Sequence, residues 1–334
     1  MQASPEKSRV FAGIDLGGTN MQIGIVRREP DGACTVIARE KKKTKADEGL
    51  DRVLDRISRG LQAACSKAGL GLADLAALGI GAPGVIDPFT GVVVEAVNLR
   101  WTDIPFARLL NERFTIPAYV ENDVNVAVLG EARLGAGVGA RCLLGVWVGT
   151  GIGGGLMFNG DLHYGHWLSA GEIGHMWVLP QSAPGSRSLE HNCSRTAIVN
   201  QIVKLIRANR KSMITELVEG HYDKIKSSDL ARAYEAADPL VVEVVDHAAE
   251  LLGIHIGSVN TLLSLDCVVL GGGVTEALGE PWVRRVAEWV RRVSFPEKAK
   301  GVRVEATRLG PDAGVIGAAM IAAERMGNSH YSYA

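Results

Sequence analysis

Three clusters of glycine follow predicted β-strands, and they constrain the fold of this chain more than any other feature. The clusters lie at residues 17–18, 149–155 and 271–273. Glycine makes up 40 of the 334 residues, and the chain has neither a collagen-like period nor a Gly/Ser linker. Because glycine reaches backbone conformations that other residues avoid, such turns can point successive N–H groups at an anion. A single cluster is more often a tight hairpin, but three together indicate backbone sites for phosphate.

The hydrophobic pattern predicts an α/β chain with two halves. Residues 10–15 and 21–26 alternate as a β-hairpin, and residues 143–148 and 156–158 form a second hairpin around a turn at 149–155. The two hairpins are alike in architecture, so we expect two α/β lobes with a cleft between them. The other predicted elements are strands at residues 78–82, 117–120, 267–270 and 302–307, helices at 50–61, 124–134 and 313–325, and a helical region at 195–265.

Composition excludes several classes of protein. The chain has 36 Lys and Arg against 37 Asp and Glu, a net charge of −1, which argues against a nucleic-acid partner or a polybasic membrane surface. The 5 cysteines are scattered, which is typical of a reducing compartment. The polar residues 1–9 show no secretory signal, and the uncharged run 142–158 is too rich in glycine for a spanning helix. We therefore expect a cytoplasmic protein.

Two familiar phosphate motifs are rejected. The chain contains no Gly-Lys dipeptide, so a P-loop of the Walker type is absent. Residues 149–154 match G-x-G-x-x-G, with Glu172 about 20 residues later, as in a dinucleotide-binding fold. That motif must open a helix, however, whereas residues 156–158 have the pattern of a strand.

An acidic residue stands where phosphoryl transfer needs one. Asp123 lies in the sequence ENDVN, directly after a predicted strand and at the start of a predicted helix. Helix N-caps favour Asn and Asp, and for Asn122 alone that is the better interpretation. A carboxylate at the end of a strand can also accept the proton of an attacking alcohol, which makes Asp123 a candidate general base.

Other polar residues remain open to two interpretations. Asp15 is either a ligand of Mg²⁺ through water or a turn aspartate. Glu172 and His175 stand three residues apart between glycines, a better place for a site than that of a lone histidine, whereas Glu190 by itself suggests solvated surface. The histidines at 163, 166 and 191 and the cysteine at 193 fit no standard metal spacing. The basic run 39–45 predicts a solvated strand edge or a loop.

An ordered set of motifs between residues 10 and 325 resembles the ROK family of sugar kinases. The segment GIDLGGTN resembles the first phosphate loop of that family, and GTGIGGG resembles the second. The sugar-site segments GAPG, NLRW and ENDVN, the adenosine segment LGGGV and the closing helix AGVIGAA follow in the family's order. The corresponding positions are 13–20, 149–155, 81–84, 98–101, 121–125, 270–274 and 313–319.

The resemblance implies an actin-like ATPase fold, of the ribonuclease H-like class, with two lobes and a central cleft. The smaller lobe would span residues 1–118 and be joined by a C-terminal helix at 311–328, and the larger lobe would span 119–310. The family also implies ATP and Mg²⁺ as cofactors, a small-molecule sugar as substrate, and a homodimer.

The resemblance assigns roles residue by residue. Asp123 would be the catalytic base that takes the proton from the primary hydroxyl of the sugar. The other residues implied to bind the sugar are Gly84, Asn98, Asn122, Glu172, His175 and Glu190. Those implied to bind the nucleotide are Asp15, Gly17, Gly18, Thr19, Asn20, Thr150, Gly151, Gly272 and Gly273, with Asp15 also holding Mg²⁺ through water.

The chain departs from the family pattern at one place. Many members follow the Gly-His element with a C-x-C-G-x-x-G-C cluster that binds a structural zinc together with that histidine. Residues 176–189 contain no cysteine here, and Cys193 falls after Glu190. We therefore predict no zinc site, which leaves His175 for the sugar or for local structure.

Several functions remain to be separated. The first is ATP-dependent phosphorylation of a hexose at its 6-hydroxyl, with glucose as the expected acceptor; another hexose, an N-acetylhexosamine or a polyphosphate donor are the alternatives. A sugar-responsive regulator of the same family would need a helix-turn-helix before the first phosphate loop, and 12 residues precede Gly13. A catalytically silent sugar-binding protein would not need Asp123.

Overall fold

The computed structural model describes residues 8–331, and it has the mixed α/β composition that the sequence predicts. The N-terminal residues considered for a secretory signal lie, up to residue 7, outside the described part. The strands are β1 (Arg9–Leu16), β2 (Asn20–Arg28), β3 (Cys34–Lys43), β4 (Ala77–Ala82), β5 (Val85–Asp87), β6 (Val92–Ala96), β7 (Trp101–Ile104), β8 (Ala118–Asn122), β9 (Cys142–Val148), β10 (Ile152–Phe158), β11 (Asp161–Leu162), β12 (Cys267–Gly271) and β13 (Arg303–Ala306). The helices are α1 (Leu50–Lys67), α2 (Phe106–Arg113), α3 (Asp123–Leu134), α4 (Leu189–Cys193), α5 (Arg195–Arg207), α6 (Ile214–Leu217), α7 (Ser227–Glu235), α8 (Pro239–Leu263), α9 (Gly272–Leu278), α10 (Glu280–Val293) and α11 (Ala313–Arg325).

The described chain divides into two compact units. The first contains residues 8–138, 164–170 and 311–331, and the second contains 139–163 and 171–310. Strand β8 pairs with β4 and helix α3 packs on α11, so the first unit extends past the lobe boundary that we expected at residues 118–119. The assignment of functional lobes stays a prediction. No helix between residues 8 and 331 is long and apolar enough to cross a membrane.

The first unit is built on a five-stranded sheet in the order β3-β2-β1-β4-β8. The strands β1 and β2 form the predicted hairpin, and β4 and β8 continue the sheet in parallel. Most of the basic run at residues 39–45 lies on the edge strand β3. A second, three-stranded sheet of β5, β6 and β7 escaped the sequence analysis because strands of 3 to 5 residues are too short to show an alternating pattern.

The two faces of this sheet pack in different ways. Alternate residues such as Ile14 and Ile23 are buried in one apolar cluster with the inner face of α1, as the period of two in a strand requires. On the opposite face, helix α11 lies directly on the backbone of the strands. A Cβ atom added at Gly79 would lie 1.8 Å from the carbonyl oxygen of Ala318, and one at Gly13 would lie 2.0 Å from that of Val315. Glycine is therefore what lets this helix approach the sheet.

The second unit repeats the strand order of the first. Its sheet runs β11-β10-β9-β12-β13, with an antiparallel hairpin β9–β10 followed by two parallel strands. This matches the resemblance between the two predicted hairpins. The predicted turn at residues 149–155 was too long, because β10 already begins at Ile152 and pairs through its three glycines with β9. The start of that strand shows no alternation of apolar and polar side chains, because three of its residues are glycines.

We predict that Gly79→Ala lowers the free energy of unfolding by about 1–3 kcal/mol or more, because the added methyl group overlaps backbone that cannot rotate away. Gly71→Ala is the matched control in the same unit, since its Cβ would come no closer than 3.6 Å to the nearest atom, Asp74 Oδ2. Urea unfolding of both variants measures the difference. Equal stability of the two variants would contradict the close packing of α11.

Candidate active site

The first glycine turn is held by a residue outside the predicted motif. The Gly17 N–H donates to the Asn20 carbonyl at 3.0 Å, which closes the turn between β1 and β2. Thr44 is fully buried, and its hydroxyl donates to the Gly17 carbonyl at 2.6 Å while its N–H donates to the Thr19 carbonyl at 2.9 Å. The exposed Thr19 side chain is thereby presented on a fixed backbone.

Asn98 lies against this turn, as its assignment to the same site requires. A Cβ atom at Gly18 would be 3.1 Å from both the carbonyl oxygen and the Cβ atom of Asn98. Asn98 belongs to the short 3₁₀ turn between β6 and β7 and is exposed. The small β5–β7 sheet, which the sequence did not predict, is therefore the element that carries this candidate sugar residue.

Asp15 lies in the same unit as Asp123, and the charge of Asp123 affects the pKa of Asp15. Burial, and then the neighbouring Asp123 carboxylate, raise the pKa of Asp15 to about 7. Asp15 stands on the sheet face covered by α11, where a Cβ atom at Gly314 would lie 2.9 Å from its carboxyl carbon. Two carboxyl groups thus lie within electrostatic reach of each other.

The junction of β8 and α3 positions Asp123. Asn122 is the N-cap of α3: its Oδ1 accepts hydrogen bonds from the N–H groups of Val124 at 2.9 Å and Asn125 at 3.0 Å. The Asn122 Nδ2 donates to the Gly84 carbonyl at 3.0 Å. Asp123 is the first helical residue and is half-buried. The N-cap interpretation of Asn122 is therefore confirmed, and the capped helix begins at Asp123, whose role as a base stays a prediction.

Gly84 has a backbone conformation that only glycine adopts readily. Its φ is +94°, and a Cβ atom there would lie 2.0 Å from the carbonyl oxygen of Glu95. The connection from β4 to β5 therefore requires glycine at this point, and it brings the Gly84 carbonyl to Asn122.

In the second unit, the start of α5 supports the second glycine turn. The Arg195 Nη2 donates to the Thr150 hydroxyl oxygen at 3.0 Å, and the Thr196 hydroxyl donates to the Thr150 carbonyl at 2.8 Å. The Arg195 N–H also donates to the Gly149 carbonyl at 2.9 Å. Arg195 thus adds a guanidinium group to a turn where the sequence analysis had counted only glycines and a threonine.

Glu190 lies on the same turn. Its Oε2 accepts the N–H of Ile152 at 2.8 Å, and a Cβ atom at Gly151 would lie 2.3 Å from that oxygen. Glycine at residue 151 is therefore what admits the carboxylate. No local pattern distinguishes Glu190 in the sequence, because the interaction joins residues 38 positions apart.

Glu172 precedes a short 3₁₀ turn, Ile173–His175, of which His175 is the last residue. Burial, and then the charge of Glu190, raise the pKa of Glu172, while His175 opposes the shift. The His175 Nε2 is 3.9 Å from the Glu172 Oε2, too far for a hydrogen bond, and the histidine side chain is 76% exposed. Glu172 and Glu190 are thus coupled electrostatically, whereas His175 faces solvent.

Gly272 and Gly273 begin helix α9 directly after β12. The φ of Gly272 is +83°, and a Cβ atom there would lie 2.7 Å from the Val148 carbonyl oxygen, at the end of β9. The nearest atom to a Cβ on Gly273 is the Ser227 hydroxyl oxygen at 3.6 Å. The backbone at Gly273 is therefore open to an approaching group.

A polar cavity of about 720 Å³ opens beside the second turn. Its wall contains both Thr150 and Glu190, so it is continuous with the candidate residues of this unit. The other polar lining residues include His191, Asn200, Lys204 and His247.

The segment between His175 and Glu190 forms a hairpin that is held by a backbone bridge and by contacts of Arg187. Trp177 and Ser188 form an isolated antiparallel bridge. The Arg187 guanidinium lies 5.1 Å from the centre of the Trp177 ring, and its Nε donates to the Ser182 carbonyl at 2.7 Å. Within residues 8–331, no group of three or more His, Cys, Asp or Glu could hold a metal ion.

The structure thus assembles the candidate residues within each unit separately. Asp15, the first turn, Gly84, Asn98, Asn122 and Asp123 belong to the first unit, and Thr150, Gly151, Glu172, His175, Glu190 and the pair 272–273 belong to the second. Thr44 and Arg195 are not among the residues that the sequence motifs predict for the site. Each stands outside the motif that it supports. The available signals were weak: Thr44 is a threonine within a basic run, and Arg195 follows Ser194, the N-cap of α5.

Known proteins are similar to this chain over most of its length. The model of the ROK family matches residues 11–325. A glucokinase from Halalkalibacterium halodurans is 32% identical over 320 residues, which cover 92% of this chain and 93% of that protein. A putative xylose repressor from Caldicellulosiruptor is 27% identical over 318 residues, which cover 92% of this chain and 76% of that protein.

A solved structure is similar over nearly the whole chain. The crystal structure of a ROK family glucokinase from Streptomyces griseus, in complex with glucose and AMPPNP, has a TM-score of 0.82 at 28% identity and covers 94% of this chain and 99% of its own. The chain therefore belongs to the ROK family, has the actin-like ATPase fold of its structural neighbours, and groups with the sugar kinases of that family.

Proposed function

We propose that this sugar kinase transfers the γ-phosphoryl group of ATP to the primary hydroxyl of a hexose, glucose first, with Asp123 as the general base. The observation that carries the proposal is the β8–α3 junction, where Asp123 opens a helix whose cap, Asn122, is fixed to the Gly84 carbonyl. A carboxylate held this firmly can orient an alcohol and accept its proton as the new P–O bond forms.

Other residues would bind the sugar hydroxyls. In the first unit, the Asn122 amide keeps a second N–H beyond the one given to Gly84, and Asn98 is exposed beside the first turn. In the second unit, Glu172, Glu190 and the exposed His175 supply acceptors and a ring nitrogen. The raised pKa of Glu172 indicates a desolvated carboxyl, which a sugar hydroxyl can satisfy.

The glycine turns suit the phosphates of ATP. The backbone at Gly17 and Gly18, with Thr19 and Asn20, forms the first candidate cradle, and Thr150 and Gly151 form the second. Gly272 and Gly273 would admit the nucleoside. The partly buried Asp15 is an oxygen donor of the type that Mg²⁺ prefers and would hold the ion through water. Bound there, Mg²⁺ would neutralise charge on the phosphate oxygens.

A regulator is the second candidate function, since a repressor is among the relatives. Asp123 favours the kinase, because a protein that only binds sugar needs no base at the reacting hydroxyl.

We propose a homodimer as the working assembly, as the family resemblance implies.

We predict that Asp123→Asn lowers kcat by about 10²-fold or more while the dissociation constant for glucose changes little, because the base is lost but hydrogen bonding to the sugar is retained. Asp51→Asn is the matched control: this exposed aspartate stands in the first turn of α1 in the same unit. A coupled assay for ADP release and calorimetric titration with glucose measure the two quantities. Near-normal kcat in the Asp123 variant would refute the assignment.

We predict that a panel of hexoses, tested with ATP and then with polyphosphate, gives the highest kcat/KM for glucose with ATP. The ATP preference follows from the three glycine turns, two for phosphates and one for the nucleoside. Formation of sugar 6-phosphate is measured for glucose, mannose and N-acetylated hexosamines. A higher kcat/KM for another sugar would reassign the acceptor, and a preference for polyphosphate would reassign the donor.

We predict that Arg187→Ala raises KM for the sugar by about 3- to 10-fold, because it removes a cation–π contact and a hydrogen bond that fix the hairpin between His175 and Glu190. Arg292→Ala is the matched control, since Arg292 lies 4.6 Å from the centre of the Trp289 ring on helix α10 of the same unit. Steady-state kinetics with varied sugar compare the two. An unchanged KM in the Arg187 variant would show that the hairpin does not position the sugar residues.

A further inference from the structure

A buried ion pair involves Glu121, two positions before Asp123 at the start of α3. Glu121 is 1% exposed and Arg325 is 3% exposed, and the guanidinium Nη2 donates to the Glu121 Oε2. Arg325 is the last residue of α11 and Glu121 lies in β8, so the pair joins segments 204 positions apart. Neither residue was among the candidates drawn from the sequence.

The Glu121 carboxylate works in two directions. Its Oε2 accepts the Tyr164 hydroxyl at 2.8 Å as well as Arg325. Its Oε1 accepts the Asn122 N–H at 2.9 Å and the Asn125 Nδ2 at 3.1 Å. One oxygen is thus held by the ion pair, and the other holds the residues on either side of Asp123.

Aromatic rings cover the arginine. The guanidinium of Arg325 lies 4.5 Å from the centre of the Tyr331 ring, Tyr331 stacks on Phe89 at 5.7 Å, and Phe89 meets the edge of Tyr164 at 5.8 Å. Burial, and then the charge of Glu121, raise the pKa of Tyr164, so this hydroxyl stays protonated and remains a donor. Tyr331 lies beyond the residues that the family model matches.

Arg325 is also fixed by hydrogen bonds on both sides of the carboxylate. Its Nη1 donates to the Val120 carbonyl at 3.0 Å, and its Nη2 lies 2.9 Å from the Tyr164 hydroxyl oxygen. A buried pair gains little stability over apolar residues of similar size, because desolvation of both charges offsets their attraction. What such a network does supply is a fixed direction for each polar atom.

We propose that Glu121 is a positioning residue for Asp123, and that Arg325 and Tyr164 hold it in place. The inference rests on the proposed function, because it assigns Asp123 the role of base. The network acts on the backbone N–H of Asn122 and the side chain of Asn125, which bracket Asp123 in the first turn of α3. If the Glu121 side chain is displaced, Asn122 and Asn125 shift with it, and the Asp123 carboxylate between them no longer faces the sugar hydroxyl correctly.

A double-mutant cycle in kcat tests this coupling. Tyr164→Phe removes one donor to Glu121 and keeps the ring against Phe89, so we expect kcat to fall by about 3- to 30-fold with KM for both substrates within about 2-fold, as for a misplaced catalytic group. In an Asp123→Asn background the same change should cost almost nothing, because the group that it positions is gone. Tyr234→Phe is the matched control: its hydroxyl also donates to a carboxylate, Asp246, at 2.8 Å.

Equal losses of kcat from Tyr164→Phe in the two backgrounds would overturn the proposal, and so would a loss equal to that of the Tyr234 control. Arg325→Lys provides a second variant, which keeps the charge but not the forked hydrogen bonds, and we expect it to show the same dependence on Asp123.

Hydrogen exchange separates failure of this inference from failure of the proposed function. The N–H groups of Val124 and Asn125 are bonded to the Asn122 side chain, so Tyr164→Phe should speed their exchange while helix α8 is unchanged. If the wild-type chain phosphorylates no sugar, the proposed function fails, and the exchange rates alone test whether the Glu121 network holds the start of α3. Unchanged exchange at the start of α3 would overturn it.

Discussion

The first unit depends on the backbone-to-backbone packing of α11 against the sheet. Side chains normally hold packed layers apart, as the spacing of about 10 Å between stacked sheets shows, but glycine on the strands lets α11 touch them directly. The same helix meets α3, where a Cβ atom at Gly317 would lie 1.7 Å from the Val126 carbonyl oxygen. Helix α11 is thereby fixed to β4, to β1, which carries Asp15, and to α3, which carries Asp123.

This packing connects the fold to the chemistry. Because α11 rests on the strands without intervening side chains, its first turn reaches Asp15 and its last residue reaches Glu121. The two ends of one helix thus contact two carboxylates with different proposed roles: Asp15 by close approach, and Glu121, which positions Asp123, by an ion pair. The glycine content of the chain therefore serves helix packing as well as turns, which its abundance alone could not distinguish.

The sequence predicts the strands and helices better than it predicts the residues whose hydrogen bonds hold the site segments in place. Alternation and glycine turns located both hairpins, and the position of Asn122 before an apolar run predicted the cap of α3. Thr44 and Arg195 could not be found in this way, because each acts through a partner more than 25 positions distant in sequence and has no local pattern. Glu121 lies in the ENDVN segment, but its ion pair joins it to a residue 204 positions away. The short strands β5–β7 were missed because a period of two needs more residues than they contain.

The hairpin between His175 and Glu190 has a consequence for the conditions under which the chain can work. Its closure by a guanidinium on an indole uses groups that neither titrate near neutrality nor bind soft metals. Residues 176–189 contain no thiol, so peroxide has no cysteine to attack in this segment, and scarcity of zinc removes no ligand from it. No thiol within residues 176–189 therefore couples the geometry of Glu172 and Glu190, at the base of the hairpin, to cysteine oxidation in that segment.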